Sequence, residues 1–284
     1  MIRPRHSAVR TTRLRPKKSL GQNFLRDENI CRNIIALIQP NPTDVIVEIG
    51  PGEGALTKYL SPSVKKLILV DLDSRVIELM NEQFPGCMVV HRDILEMNLD
   101  ALSIECGAKL RVVGNIPYNI TTPIIFHILD QRSSVKDMVI MLQREVARRL
   151  IAAPRTKDYG ILAVMCQMFA DVSHGFDVPP TAFRPKPSVT SSLIRMEILS
   201  APRHHLADEA FFRGMVRSVF GKRRKTLRKS LQYFIDHPGL LQPEPLDLQR
   251  RPEDLSIGEL AGLSNELYTR TSRRDSFQTV PIQE

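Results

Sequence analysis

Five short apolar runs, each followed by an amphipathic stretch, constrain this chain more than any other feature. VIVEIG (45–50), KLILVD (66–71), CMVVH (87–91), KLRVVGN (109–115) and KDMVIMLQ (136–143) have the length and content of strands. Helical spacing fills the gaps between them. ALTKYL (55–60) opens one helix, and 74–84 forms another with Val76, Ile77, Leu79 and Met80 on its inner side. PIIFHIL (123–129) starts a third, where Pro123 is harmless because a helix N-terminus has N–H groups to spare. REVARRLIA follows the fifth run. Strands this apolar need cover on both faces, so the pattern predicts an α/β domain with a mostly parallel sheet.

Beyond Pro154 the pattern changes. GILAVMCQMFADVSHGF (160–176) predicts a helix running into a strand, and SSLIRMEI (191–198) alternates as a strand does. Between them VPPTAFRPKPSV (178–189) carries Pro179, Pro180, Pro185 and Pro187, which predicts an ordered extended loop or a linker. From about residue 201 strand patterns vanish, while FFRGMVRSVF, TLRKSLQYFI and GELAGLSNELYTR read as helices. The expected organisation is a basic arm at 1–16, an α/β domain at 17–200, a small helical domain at 201–274 and a frayed polar tail at 275–284.

The charge of this 284-residue chain is uneven. Its net charge is +9, which suits a polyanionic partner. The first 18 residues hold seven Lys or Arg and no acid, and GKRRKTLRK forms a second cluster at 221–229. Either run alone reads as a solvated face; two runs flanking a globular middle point to nucleic acid. The arm is expected to touch phosphates, with an organellar targeting segment as its second reading. No apolar run is long enough to cross a membrane. Cys31, Cys87, Cys106 and Cys166 form no C-x-x-C pair, which disfavours a metal site or disulfide framework and fits a reducing, cytoplasmic setting.

The loop after the first strand is EIGPGEG (48–54). Its glycines permit a sharp turn and close backbone approach to a ligand. Asp71 ends the second strand at the spacing of an acid that grips ribose hydroxyls, and Asp93 follows the third strand in the same way. Asp73, before Ser74, reads as a helix cap. Two such acids at one sheet edge favour an adenosine-containing ligand. Glu48 and Glu53 in the loop, with no G-K-[ST], are wrong for a triphosphate and poor for a pyrophosphate. A cationic sulfonium, S-adenosyl-L-methionine, suits an acidic loop better.

At the end of the fourth strand stands GNIPY (114–118). Asn115, Ile116, Pro117 and Tyr118 make little sense as strand residues and good sense as a base pocket. An exocyclic adenine nitrogen is a poor nucleophile because its lone pair is delocalised. The Asn115 side-chain oxygen and the Ile116 carbonyl can accept its two hydrogens, Pro117 stiffens the turn, and Tyr118 offers a stacking face.

KKSLGQNFL (17–25), EIGPGEG, GNIPY and VPPTAFRPKPSV together resemble the ribosomal RNA adenine N6-dimethyltransferase family over about Lys17 to Leu231. SVFGKRRKTLRKSL resembles the small-subunit (16S) branch of it. The resemblance implies a Rossmann-like methyltransferase sheet with a small C-terminal all-helical domain. The implied activity is dimethylation of two neighbouring adenines near the 3′ end of 16S rRNA in an assembling small subunit. It implies that Gln22 and Asn23 close over the methionine end of the cofactor, with Leu25, Glu48, Gly50, Gly52, Leu72 and Ile94 also on the cofactor side. Asp71 would take the ribose hydroxyls and Asp93 the cofactor adenine. Asn115 and Tyr118 would hold the target adenine, with Phe183 as the second wall. Lys222, Arg223, Arg224, Lys225 and Arg228 would meet rRNA phosphates. No metal is implied, and a monomer is the default. Ile116 stands where Leu is commoner and Asp71 where many relatives have Glu. The rival expectations are the large-subunit, macrolide-resistance branch and a non-catalytic assembly or transcription factor of the same fold.

Overall fold

A computed structural model describes residues 14–17, 20–222, 225–235, 241 and 246–278. Most of the basic arm, Arg223, Arg224 and the end of the polar tail lie outside the described residues. A short strand, β1 (Phe24–Leu25), leads into α1 (Glu28–Ile38), then β2 (Val45–Ile49), α2 (Thr57–Leu60), β3 (Lys66–Asp71) and α3 (Ser74–Gln83). β4 (Met88–His91), α4 (Leu99–Cys106), β5 (Leu110–Asn115), α5 (Thr121–Asp130), β6 (Val135–Gln143), α6 (Arg144–Leu150) and α7 (Ile161–Phe169) follow. The chain finishes through β7 (Ala170–Val178), β8 (Phe183–Arg184), β9 (Ser191–Ile198), α8 (Glu209–Phe220), α9 (Leu227–Leu231) and α10 (Ile257–Gln278).

The main sheet has the order β4-β3-β2-β5-β6-β9-β7. Its first five strands are parallel, and β9 lies antiparallel between β6 and β7. Alternation along β2 shows how the sheet is covered. Val45, Val47 and Ile49 enter one buried cluster with residues of α5 and α7. Ile46 enters a second with residues of α1 and α3. Glu48 shares the period-two face of Ile46, so this one acid of the strand points into an apolar layer. Phe212, Met215, Leu227 and Leu260 of the C-terminal helices belong to the same buried cluster as Met165 and Phe169 of α7. The helical portion is thus stacked on the α7 side of the sheet.

Three elements differ from expectation. α2 has one turn, because Pro62 turns the chain into a 3-10 segment at 61–63. α5 begins two residues before Pro123, whose missing N–H still falls among the first four that no helix pairs. α9 stops at Leu231, and the TLRKSLQYFI stretch turns after it. The Pro-rich segment is an ordered connection: β8 pairs antiparallel with β1, Leu25 opposite Phe183.

At the amino end of the sheet, Arg111 is buried with all five of its N–H groups engaged. It donates to both oxygens of Asp137 at 2.8 and 2.7 Å, to Asp44 at 2.6 Å, and to the carbonyls of Ile38 and Gln39 that end α1. A cation at a helix C-terminus also meets the negative end of the helix dipole. Among the described residues no helix is long and apolar enough to cross a membrane, and no His, Cys, Asp and Glu group is placed to hold a metal ion.

Candidate active site at the carboxyl edge of the sheet

From β2 the chain winds outward through β3 and β4, then returns to β5 on the other side of β2. The crevice this reversal leaves at the strands' carboxyl ends is where α/β sheets bind ligands. A cavity of about 170 Å³ lies there. Gly50 and Gly52 form its floor at φ +66° and +57°, in the left-handed region that side chains rarely adopt. A Cβ on Gly52 would stand 2.9 Å from the Phe24 ring. Glycine at 52 therefore lets Phe24 close down on the loop.

Each wall is a strand end. Asp71, last residue of β3, accepts from the Asp73 N–H at 2.8 Å and lines the cavity. Burial pushes its carboxyl above the ordinary range, so further donors such as a ribose diol would be favourable. Asp93 follows β4, accepts from the Leu95 N–H at 2.9 Å, and lines the cavity with Leu72 and Ile94. Leu72 is a large apolar side chain left 48% exposed, which suits a lid over a planar group.

Residues 14–17 and 20–25 lie across this edge as a strap with several fastenings. The Leu14 N–H donates to Glu53 at 2.9 Å, and Arg26 donates to the other oxygen of Glu53 at 3.0 Å. Gln22 accepts from the Lys17 N–H at 2.9 Å and donates to Asp73 at 3.0 Å. Asp73 caps α3 as expected, and it also takes Lys17 at 3.1 Å. The Arg75 guanidinium, then Gln22 and Lys17, hold its carboxyl well below the usual carboxylate range. Gln22 and Asn23 both line the cavity.

On the fourth wall the Asn115 amide nitrogen donates to the Asn23 carbonyl at 2.8 Å. That bond sets the amide's orientation: its Nδ2 is turned to the strap, and Oδ1 is the atom left to accept. Ile116 lines the cavity and is 1% exposed as a whole residue. Pro117 carries the chain into the 3-10 turn Tyr118–Ile120. The Tyr118 hydroxyl and Ser191 Oγ of β9 are hydrogen-bonded at 2.7 Å. Burial pushes the Tyr118 phenol up, so Tyr118 serves as a neutral ring whose angle β9 sets.

Three predicted site residues lie off the cavity wall. Leu25 and Phe183 are buried partners in the β1–β8 ladder, packed in the α1 and α3 layer. Glu48 lies under the loop, 2% exposed, accepting from Thr57 Oγ1 at 2.8 Å. Burial raises its carboxyl to about 7, so Glu48 enters the folded state protonated in mildly acidic solution. Its contribution to stability is complete below its ordinary value near 4.5 and lost as pH passes 7. Glu48→Gln, permanently neutral, should therefore gain on the wild type between pH 4.5 and 7, by roughly 3 kcal/mol in total. Urea unfolding of both proteins across pH 5–8 checks this, and a pH-independent gap between them would contradict it.

Of the predicted RNA residues, Lys222 and Arg228 are exposed and Lys225 half-buried around α9; Arg223 and Arg224 lie outside the described residues. The sequence reading did not single out Phe24, Lys17, Arg26 or Ser191. Phe24 stands in the quoted GQNF, but its closure on Gly52 is a tertiary event; the others carry no local signal.

Among the described residues, the charged side chains lining the cavity are two acids, Asp71 and Asp93, and one base, Arg92. That set fits a cationic nucleoside such as S-adenosyl-L-methionine and not a triphosphate. The model for ribosomal RNA adenine dimethylases matches residues 13–267. The chain belongs to the ribosomal RNA adenine dimethylase family. It is 43% identical over 256 residues to Ribosomal RNA small subunit methyltransferase A of Chlorobium phaeobacteroides, covering 90% of this chain and 95% of the relative. The protein of the same name from Aromatoleum aromaticum is 42% identical over 264 residues, covering 91% and 97%. A dimethyladenosine transferase from Plasmodium falciparum superposes with a TM-score of 0.72 at 23% identity, covering 89% of this chain and 98% of that one. The 23S rRNA methyltransferase ErmE gives 0.59 at 24% identity, covering 89% and 100%. At those identities the two structures speak for the fold alone.

Proposed function

We propose that this dimethylase uses S-adenosyl-L-methionine to convert two adjacent adenines near the 3′ end of 16S rRNA to N6,N6-dimethyladenine, in an assembling small subunit. The observation that carries this is the Asn115 amide. Its nitrogen is engaged by Asn23 O, so an acceptor oxygen, paired with the Ile116 carbonyl, is what the cavity offers an incoming amino group. When bound, the cofactor supplies a methyl group on a positively charged sulfur. Asp71 and Asp93 would hold its ribose and adenine, while Gly50, Gly52, Gln22 and Asn23 hold the methionine end.

The chain's own part is binding and aim. Asn115 Oδ1 and Ile116 O orient the amino hydrogens, and acceptors placed there favour the positive charge that develops on nitrogen. Tyr118 stacks on the extruded base. No strong base is needed, because the nitrogen becomes acidic only as it is methylated; its proton leaves to solvent. After one methylation one N–H remains, and a single acceptor still aims the nitrogen for the next. Residues 17–200 would carry the chemistry. Residues 201–274, with the arm, would grip rRNA phosphates, which position without reading sequence. We take the working state to be a cytoplasmic monomer.

The test is incubation with labelled cofactor and small subunits lacking the modification, followed by mass mapping of the adenines. Two neighbouring dimethyladenines near the 3′ end of the small-subunit RNA are expected. Label in large-subunit RNA would instead support the macrolide-resistance type, and tight subunit binding without incorporation a non-catalytic factor.

A further inference from the structure

Past α8 the chain turns through Gly221 and Lys222, forms α9, and turns again at Gln232–Phe234. Tyr233 in that second turn is 59% exposed, a large aromatic ring on a basic surface. Its exposure is built in, because its neighbours are anchored. Leu231 and Ile235 are buried, and the Phe234 ring packs edge-on against Phe211 with centroids 4.9 Å apart. Two ammonium groups gather on the exposed ring: Lys225 Nζ lies 4.7 Å and Lys222 Nζ 5.0 Å from its centroid. Lys225 also donates to the Tyr233 hydroxyl at 2.5 Å. Arg228 and Lys229 are exposed on adjacent α9.

We propose that Tyr233, with Lys222 and Lys225, clamps one unpaired nucleotide of the RNA substrate, the ring stacking on its base and the lysines meeting the flanking phosphates. The proposal deepens the rRNA reading above and rests on it. An RNA duplex buries its base faces and would use only the cations. A single-stranded segment uses both halves of the arrangement, since every base has a π face and every linkage a charge. Lysines that served only solubility would extend into water, whereas these two meet on one ring.

The chain contains no tryptophan, which gives a clean experiment. In the full-length protein, Tyr233→Trp places a sole tryptophan in the clamp. Its fluorescence should be quenched on adding a short single-stranded RNA and should stay unchanged with a blunt duplex of equal length. In parallel, Tyr233→Leu should weaken binding of the single strand by about 5- to 150-fold, the size of one lost stack. Duplex affinity should change less than about 2-fold, and Tyr233→Phe should bind like wild type. The double variant Lys222→Ala/Lys225→Ala should lower the slope of log affinity against log salt by about 1.4, at about 0.7 per single-strand phosphate. Cofactor affinity and melting temperature, unchanged in each variant, report an intact fold. Equal loss for single strand and duplex in Tyr233→Leu, equal loss in Tyr233→Phe, or an unquenched tryptophan would overturn the clamp. If wild type methylates subunits while these results fail, only the clamp falls. Failure of wild type to methylate removes the rRNA reading itself.

Discussion

Replacing Asn115 with alanine is expected to lower the rate of methyl transfer about 10²- to 10³-fold, the cost of removing one donor or acceptor aimed at developing charge. The cofactor should still bind, weakened less than about 10-fold, because Asp71, Asp93 and the glycine loop are untouched. Some weakening follows from the lost bond between Asn115 and the Asn23 carbonyl, which fastens the strap. Asn115→Asp should fare no better: a carboxylate keeps an acceptor but has no hydrogen for Asn23 O and repels it. Single-turnover transfer to unmodified subunits, with calorimetry of cofactor binding beside it, separates the two roles. Near-normal dimethylation by the alanine variant would remove Asn115 from the chemistry.

The second large effect lies at the other end of the sheet. Arg111→Met keeps much of the side chain's length and removes its charge, leaving Asp44 buried without its cation and Asp137 with only the longer contact to Arg195 at 3.5 Å. Breaking a buried pair from one side costs about 3–5 kcal/mol, and urea unfolding should show a loss of that size. Arg111→Met/Asp137→Leu should recover part of it, since it removes one of the two buried carboxylates that Arg111 served and leaves only Asp44. Asn115 stands four steps along β5 from Arg111, about 13 Å at strand rise. Cofactor affinity in the folded variant should therefore stay near wild type. A single variant as stable as wild type would mean that the network contributes nothing to stability.

Much of the architecture is readable along the chain because its signals are local. Apolar runs of strand length alternating with amphipathic ones announce the five parallel strands, and Asp27, Asp73 and Asn98 cap helices by bonds spanning two or three residues. What local pattern misjudged is equally local in cause: Pro62 cuts α2 short, and α9 stops before the aromatic pair Tyr233–Phe234. The two-strand ladder of β1 and β8 joins residues 158 positions apart, Leu25 opposite Phe183. No two-residue strand carries a periodicity by which it could be recognised.

The candidate site divides in the same way. By itself, the sequence determined which side chains stand at strand ends: Asp71, Asp93, Asn115 and the glycines of the loop, because strand ends are marked by where apolar runs stop. Only the tertiary structure decided which way they work. It turned the Asn115 nitrogen to Asn23 and left its oxygen to accept, tied the Tyr118 ring to Ser191, and drew Glu48 and Phe183 into the packed layer beneath. The reason is physical: strand position follows from short-range pattern, whereas hydrogen-bond direction and burial depend on groups that meet only when the sheet closes.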